Sequence, residues 1–260
     1  MSEIASKKQQ QYQTPIDLNL YSSPELKGLV TQGSTGRFLI VKSMMERSLD
    51  QAPAQSIKST DAAVEIQLLE DGYCGWISSA DHNQLMPVVG AGYRPVTVSR
   101  DEIVGKIPGV IAFAGEAMTV PNKYLWGGTT APNYDCSGLV QAAFASVGVW
   151  LPRDSYQQEA WTKTVEKDEL EPGDLIFFSQ KNALKGKIDH VALFIGNDEY
   201  IHSSGYEQGR GGIAIDSLSP KTLDSLEKKP GDSIAKLYAS QVCSFGRIVE
   251  SYNPRILNVS

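Results

Sequence analysis

Tyr124-Leu125-Trp126-Gly127-Gly128, followed at a short distance by Asp135-Cys136-Ser137-Gly138, is the stretch from which the C-terminal part of this chain can be read. Glycines loosen the backbone just ahead of a run in which Leu139, Val140, Ala143, Phe144 and Val147 recur at helical spacing. A helix is therefore expected over Asp135 to Val147, stopped at Gly148. Cys136 then lies in the first turn. Unpaired amide N–H groups and the positive end of the helix dipole favour a thiolate there. The same amides can receive an oxyanion when a carbonyl is attacked. Without a base nearby, such a cysteine would carry little weight.

The base comes from the strands that follow. Pro172-Gly173 reads as a turn, and Leu175 to Phe178 and Val191 to Ile195 read as buried strands, with Tyr200 to Ser203 and Ile213 to Ile215 continuing the sheet. Helices followed by strands make this part α+β. His190 and His202 sit symmetrically about Gly196, inside the turn Gly196-Asn197-Asp198. An antiparallel hairpin centred there puts the two rings directly opposite each other on one face, where cross-strand partners lie roughly 4.5–5.5 Å apart. A thiol at a helix start and two paired histidines supply a nucleophile, a base and an orienting group. A Cys–His–His zinc site is the rival reading, but it lacks a fourth protein ligand at short spacing. No metal and no cofactor are expected.

Moving outward, residues 1–14 are polar and read as a flexible tail. Residues 15–90 carry short strand signals: Phe38 to Val41 is apolar, and Val64, Ile66 and Leu68 alternate with Glu65 and Gln67. After the Asp71-Gly72 turn, Tyr73 to Ile77 returns as the second arm of a hairpin. About 75 residues of this kind suit a small all-β barrel. Gly90, Gly92 and two prolines mark the passage to a second domain over 91–247, with 248–260 as a C-terminal tail. Ser99 and Glu102 have capping-box spacing before Ile103, Val104 and Ile107. Pro108 implies a kink or a new helix start. Asp154 or Ser155 opens a further short helix.

The formal net charge of −6 argues against nucleic acid as a partner and gives no grip on an anionic membrane. The polar start lacks the apolar core of a secretory leader, and no run approaches a membrane span, so a cytoplasmic protein is expected. Three cysteines, Cys74, Cys136 and Cys243, with no paired spacing, fit free thiols in a reducing compartment. Nothing in the sequence indicates a protein partner.

Five motifs in order resemble the NlpC-type cell-wall endopeptidases: Tyr124 to Gly128, Asp135 to Gly138, Pro172 to Leu175, Asp189-His190-Val191 and Tyr200 to Ser203. The resemblance implies a reduced papain-like fold, with a cysteine-bearing helix on an antiparallel sheet. It assigns Cys136 as nucleophile, His190 as base and His202 as the residue orienting it; Tyr124 could be core packing, but its hydroxyl is better used as an added oxyanion donor. The N-terminal part resembles bacterial Src-homology-3-like domains. The arrangement is similar to the cytoplasmic recycling branch, gamma-D-glutamyl-L-diamino acid endopeptidases. That branch implies short murein peptides such as L-Ala-gamma-D-Glu-diaminopimelate as substrates. It also implies that Asp154 and Ser155, in Pro152-Arg153-Asp154-Ser155, hold the free amino end, and that Tyr73 closes one end of the cleft. In this reading Asp154 is a buried carboxylate awaiting an ammonium. As alternatives, Asp154 and Ser155 could simply cap a helix, and Tyr73 could be a barrel aromatic. Arg153, Ser137 and His82 are read as structural. An acyl transferase on the same Cys–His scaffold, or a wall-binding module, remain alternative functions.

Overall fold

The computed structural model describes residues 9–45, 62–179, 188–206, 210–219, 238 and 241–254. The chain divides into two compact units, one formed by Met1–Val96 with Asn253–Ser260 and the other by Thr97–Tyr252.

Among the described residues the regular elements of the first unit are antiparallel strands and one helical turn. Its strands are β1 (Gln11–Gln13), β2 (Leu18–Tyr21), β3 (Leu29–Gly33), β4 (Phe38–Met45), β5 (Ala63–Leu68), β6 (Cys74–Ser78) and β7 (Met86–Pro87), with helix α1 (Ser79–His82) after β6. Among the described residues they form one sheet in the order β3-β2-β6-β5-β4-β1-β7. Alternation along β5 buries Val64, Ile66 and Leu68 against Leu18, Leu20, Leu39 and Ile77. The hairpin read from the sequence is present: β5 and β6 pair from Ala63↔Ser78 to Gln67↔Cys74. Its turn uses Gly72 at φ +74°, and Asp71 Oδ1 accepts the Tyr73 N–H at 3.0 Å. A buried Arg37 is paired with both Glu70 and Asp71 at 3.0 Å, which ties the turn to the start of β4. Residues 46–61 of the expected domain lie outside the described residues.

Three expectations change here. No pairing between the end strands β3 and β7 closes the described sheet into a barrel. Gln11 to Gln13, expected in a flexible tail, are a strand paired with both β4 and β7, and Gln11 is buried. Polar composition misled because ladder bonds hold this segment together with its side-chain amides: Gln13 Nε2 donates to the Gly36 carbonyl at 2.8 Å and Gln11 Oε1 accepts the Tyr93 N–H at 2.7 Å. At the other end Pro254 sits against the β5–β6 turn, so close that a Cβ at Gly72 would meet it at 2.8 Å.

The second unit begins with α2 (Arg100–Thr119), opened by the Ser99–Glu102 capping box. Pro108 lies inside α2 without dividing it, and Ile103, Ile107, Val110 and Ala114 keep one buried stripe. Val104, whose carbonyl loses its donor, is on the exposed face where water can serve it. A short ribbon of β8 (Thr129–Thr130) and β9 (Asn133–Tyr134) leads into α3 (Cys136–Ala145), followed by α4 (Ser155–Trp161). Strands β10 (Lys163–Val165), β11 (Leu175–Phe178), β12 (His190–Gly196), β13 (Glu199–Ser204), β14 (Gly212–Ser217) and β15 (Val242–Arg247) form an antiparallel sheet in the order β10-β15-β11-β12-β13-β14. The α+β class is as expected.

Period-2 alternation sorts this sheet into two faces. Leu175, Phe177, Val191, Leu193, Ile201 and Ile213 pack with the apolar stripes of α2 and α3. Ile176, Phe178, Ala192, Phe194 and Tyr200 face the other way, against Leu218 and Tyr238. Each such side chain fully buried contributes about 1.5–3 kcal/mol, so both faces are committed and a register slip would be costly. The expected tail from 248 is also packed: Ile248 is buried in the core, and Ser251 Oγ accepts the Trp150 N–H at 2.9 Å.

The β12–β13 hairpin departs from the expected register. Asn197 and Asp198 take positive φ (+52° and +64°) and form a two-residue turn closed by Gly196↔Glu199, with an irregularity between Phe194 and Gly196. The pairs Phe194↔Tyr200 and Leu193↔Ile201 follow. Carried further, that register sets His202 opposite Ala192 and diagonal to His190. The histidines still share a face, but not a direct cross-strand position.

Candidate active site

Asp135 is the N-cap of α3, and its carboxylate is the hub of the Cys136 side of the site. Oδ1 accepts the Gly138 N–H at 2.7 Å, and Oδ2 accepts the Gly127 N–H at 2.8 Å. The second bond pins the Tyr124–Gly128 loop to the helix start. Contact there is tight: a Cβ at Gly138 would lie 2.0 Å from the Gly128 carbonyl oxygen. Arg153, only 2% exposed, donates from Nη2 to Asp135 Oδ2 at 2.6 Å and from Nη1 to Oδ1 at 3.1 Å. It also donates to Ser137 Oγ at 2.9 Å. Arg153 and Ser137, read from the sequence as structural, thus form the clamp behind Cys136.

Cys136 is 6% exposed. The amide N–H groups of Val191 and Ser137 bond its sulfur and pull the thiol down, with help from the Arg153 charge. Burial and the Asp135 carboxylate outweigh them and push it up to about 12. The helix start does supply amides, but it does not produce a resting thiolate. Dehydration of the sulfur wins.

The Val191 contact explains how α3 reaches the histidines. β11 and β12 stay paired as far as Phe178↔His190, and β13 and β14 as far as Ser204↔Gly212. Between β12 and β13 the last pair is Leu193↔Ile201. The sheet is split at this point, and the thiol takes an amide that a continuous ladder would have used. Cys136 approaches from the helix-covered face, whereas His190 and His202 stand on the opposite face.

His190 Nε2 and His202 Nδ1 are 2.7 Å apart. His202 is completely buried, while His190, at the mouth of β12, is partly exposed. Phe178, Tyr200 and Tyr238 box the pair in: the Tyr238 ring centroid lies 5.1 Å from that of His190 and 4.7 Å from that of His202, and Phe178 lies 5.3 Å from His190. This dehydration, added to by His202, holds His190 well below the ordinary histidine value of 6.5. Burial also lowers His202, against the pull of Asp216. Both rings are neutral near pH 7.

Sequence reasoning missed the third layer. Asp216 Oδ2 lies 2.9 Å from His202 Nε2, and Arg210 pairs with both oxygens of Asp216. A signal was present: in Gly212-Ile213-Ala214-Ile215-Asp216 the one charge falls on the same face as Ala214, which pairs with His202. Tyr238 had no comparable signal.

Of the remaining expected residues, Tyr124 is brought to the site. Its hydroxyl is raised by burial and then by the Cys136 and Asp135 charges beside it, so it stays a donor. Asp154 is the N-cap of α4 in a capping box with Gln157. It is half-buried and bonded by the Tyr156 hydroxyl, not a buried carboxylate without partners. Ser155 is buried in the first turn of α4. Tyr73 belongs to the first unit, where it lines a groove with Tyr21, Glu65, Cys74 and Trp76. Among the described residues no group of three or more His, Cys, Asp or Glu side chains is arranged to hold a metal ion. No described helix is long and apolar enough to cross a membrane.

A buried thiol bonded by the amide of Val191, the residue that follows His190, and two neutral imidazoles bonded to each other are the equipment of a thiol-dependent acyl-transfer centre. Residues 121–224 match the NlpC/P60 family model. Over 136 residues the chain is 41% identical to a gamma-D-glutamyl-L-lysine dipeptidyl-peptidase of Bacillus cereus, covering 52% of this chain and 37% of that protein. Over 103 residues it is 37% identical to a probable endopeptidase NlpC homolog of Haemophilus influenzae, covering 39% of this chain and 50% of that one. The match therefore spans half or less of these curated relatives. Among solved structures, an NlpC/P60 family protein from Bacillus cereus aligns with a TM-score of 0.45 at 23% identity, over 94% of this chain and 65% of its own.

Proposed function

We propose that the chain is a cysteine endopeptidase that hydrolyses the gamma-D-glutamyl–diamino acid bond of short murein peptides, such as L-Ala-gamma-D-Glu-diaminopimelate. The observation that carries this is the thiol of Cys136 bonded by the Val191 amide, immediately beside His190, whose ring is joined to His202 at 2.7 Å. In this reading Cys136 is the nucleophile. His190 takes its proton on the ring nitrogen not turned to His202 as the sulfur attacks the carbonyl carbon. The tetrahedral oxyanion receives amide donors at the start of α3 and the Tyr124 hydroxyl; one such donor is typically worth roughly 10²–10³-fold in rate. His190 then protonates the departing amine, and water hydrolyses the thioester by the same route.

The name of the Bacillus cereus relative supports the gamma-D-glutamyl bond as target. A requirement for a free N-terminal L-Ala, held by Asp154 and Ser155, is part of the proposal. It suits a role in recycling cell-wall peptides in the cytoplasm. Incubating the full chain with this tripeptide, with and without amine acceptors, and weighing the products tests the reading. Hydrolysis to L-Ala-D-Glu and diaminopimelate is expected. A transferred acyl group would instead make it an acyl transferase, and binding without any product a wall-binding module.

A further inference from the structure

Chains of imidazoles have a direction, set by where their protons sit. Here three groups stand in line: His190 Nε2 faces His202 Nδ1 at 2.7 Å, and His202 Nε2 faces Asp216 Oδ2 at 2.9 Å. The charged and titratable groups that face the pair are Tyr200, Tyr238, Asp216 and, through Asp216, Arg210; the Cys136 thiol is bonded by the amide of Val191, next to His190 in the chain. Arg210 donates to both oxygens of Asp216, so the carboxylate is aimed and stays ionised. An ionised carboxylate can only accept.

We propose that Asp216 is a positioning residue that fixes the proton order of the whole pair and thereby makes His190 competent as a base. Asp216 holds the His202 proton on Nε2, because a lone pair there would oppose its own oxygen across 2.9 Å in a buried site. His202 Nδ1 is then a bare acceptor, so His190 must donate from Nε2. That leaves the lone pair of His190 on Nδ1, the nitrogen not engaged by His202. Reversing the order would put a proton on Nδ1 of each ring, and the base could no longer accept the thiol proton. One carboxylate, two side chains removed from the sulfur, decides between a working site and an idle one.

This rests on the peptidase reading only for its kinetic arm. The direct test is ring-nitrogen NMR of the ¹⁵N-labelled full chain above pH 7, where the three histidines give few signals to assign. Both His190 and His202 are expected to carry the proton on Nε2. A His202 protonated on Nδ1 in the wild-type protein overturns the proposal. Asp216→Asn, whose amide can donate as well as accept, should admit the other tautomer and lower kcat on the tripeptide by roughly 10–10²-fold, with KM little changed. In a His202→Asn background the side-chain carbonyl can accept from His190 without any tautomer to fix, so the same change should cost less than about threefold. Equal losses in both backgrounds would mean that Asp216 only supports the fold. If the wild-type chain turns over no substrate, the functional reading has failed, and the NMR result alone decides the proton order.

Discussion

Replacing Arg153 by methionine removes the charge that balances Asp135 and keeps most of the volume. The two side chains are 2% and 9% exposed, so solvent gives little screening. Breaking a buried pair by deleting one partner costs about 3–5 kcal/mol. Asp135 would retain the Gly127 and Gly138 amides and the Ser137 hydroxyl, which places this case near the lower end, about 3 kcal/mol. For a unit of this size each kcal/mol moves Tm by roughly 2–4 °C, so a drop of about 6–12 °C is expected. Arg153→Lys keeps the charge and loses the two-pronged grip, and should fall between the two. Adding Asp135→Asn to Arg153→Met removes the orphaned anion. The double variant should therefore melt well above the sum of the single losses. Thermal melts followed by circular dichroism, with kcat/KM measured below the transition, make the comparison. A Tm for Arg153→Met within 2 °C of wild type would refute the reasoning, because an unpaired carboxylate cannot be buried at so small a cost.

Other outcomes follow from the same geometry. With the His190 pKa lowered well below 6.5, the base stays unprotonated further into acid, so the acid limb of the kcat/KM profile should lie below pH 6.5. A limb above that value would contradict a dehydrated pair. With the thiol pushed up to about 12, wild type and Cys136→Ala should show no difference in ultraviolet thiolate absorbance at pH 7; a full thiolate signal at neutrality would sink the neutral resting state. His190→Ala should lose about 10²–10⁴-fold in kcat and His202→Ala less, since the latter only orients; the opposite ranking in steady-state assays would reverse the roles. Asp154→Asn should reduce any preference for a free over a blocked amino terminus; an unchanged ratio of kcat/KM would leave Asp154 as a cap of α4 alone.

Much of this was legible in the sequence, for identifiable reasons. Helix α3 was marked at both ends, by an acidic N-cap and by Gly148, and its apolar spacing chose the buried face. The capping box at Ser99 and the alternation of β5 are local signals and appeared where expected. The closeness of His190 and His202 was anticipated by assuming a turn centred on Gly196. The structure reaches it by another register, because Asn197-Asp198 form the turn and long rings bridge a diagonal. What was not legible depended on non-local packing. Arginine is rarely buried, so nothing local marked Arg153 as the partner of Asp135. The split between β12 and β13 leaves no local trace in the sequence, and Tyr238, which packs on both histidines, is far from them along the chain. Gln11 to Gln13 look like tail because their strand is held by ladder bonds that composition does not report.

The two halves of the site repeat one device with opposite consequences. Beside Cys136 stands a buried Asp–Arg pair, Asp135 with Arg153; beside His202 stands a second pair, Asp216 with the partly exposed Arg210. Each pair is close to neutral as a whole, so neither half fills the cleft with net charge. Yet the carboxylate is the nearer member on both sides. Asp135 next to the sulfur opposes a thiolate, and Asp216 next to His202 favours a proton on the imidazole pair. At rest the first effect and dehydration dominate, and thiol and imidazoles stay neutral. Once the sulfur is bonded to a carbonyl carbon, its negative charge has moved to the oxyanion, away from Asp135 and towards the amide donors. The penalty at the nucleophile is then relieved while the stabilisation of the protonated base remains. In the proposed reaction the site thus separates charge only when a carbonyl is present to carry it, which is differential binding of the transition state built from two ordinary ion pairs.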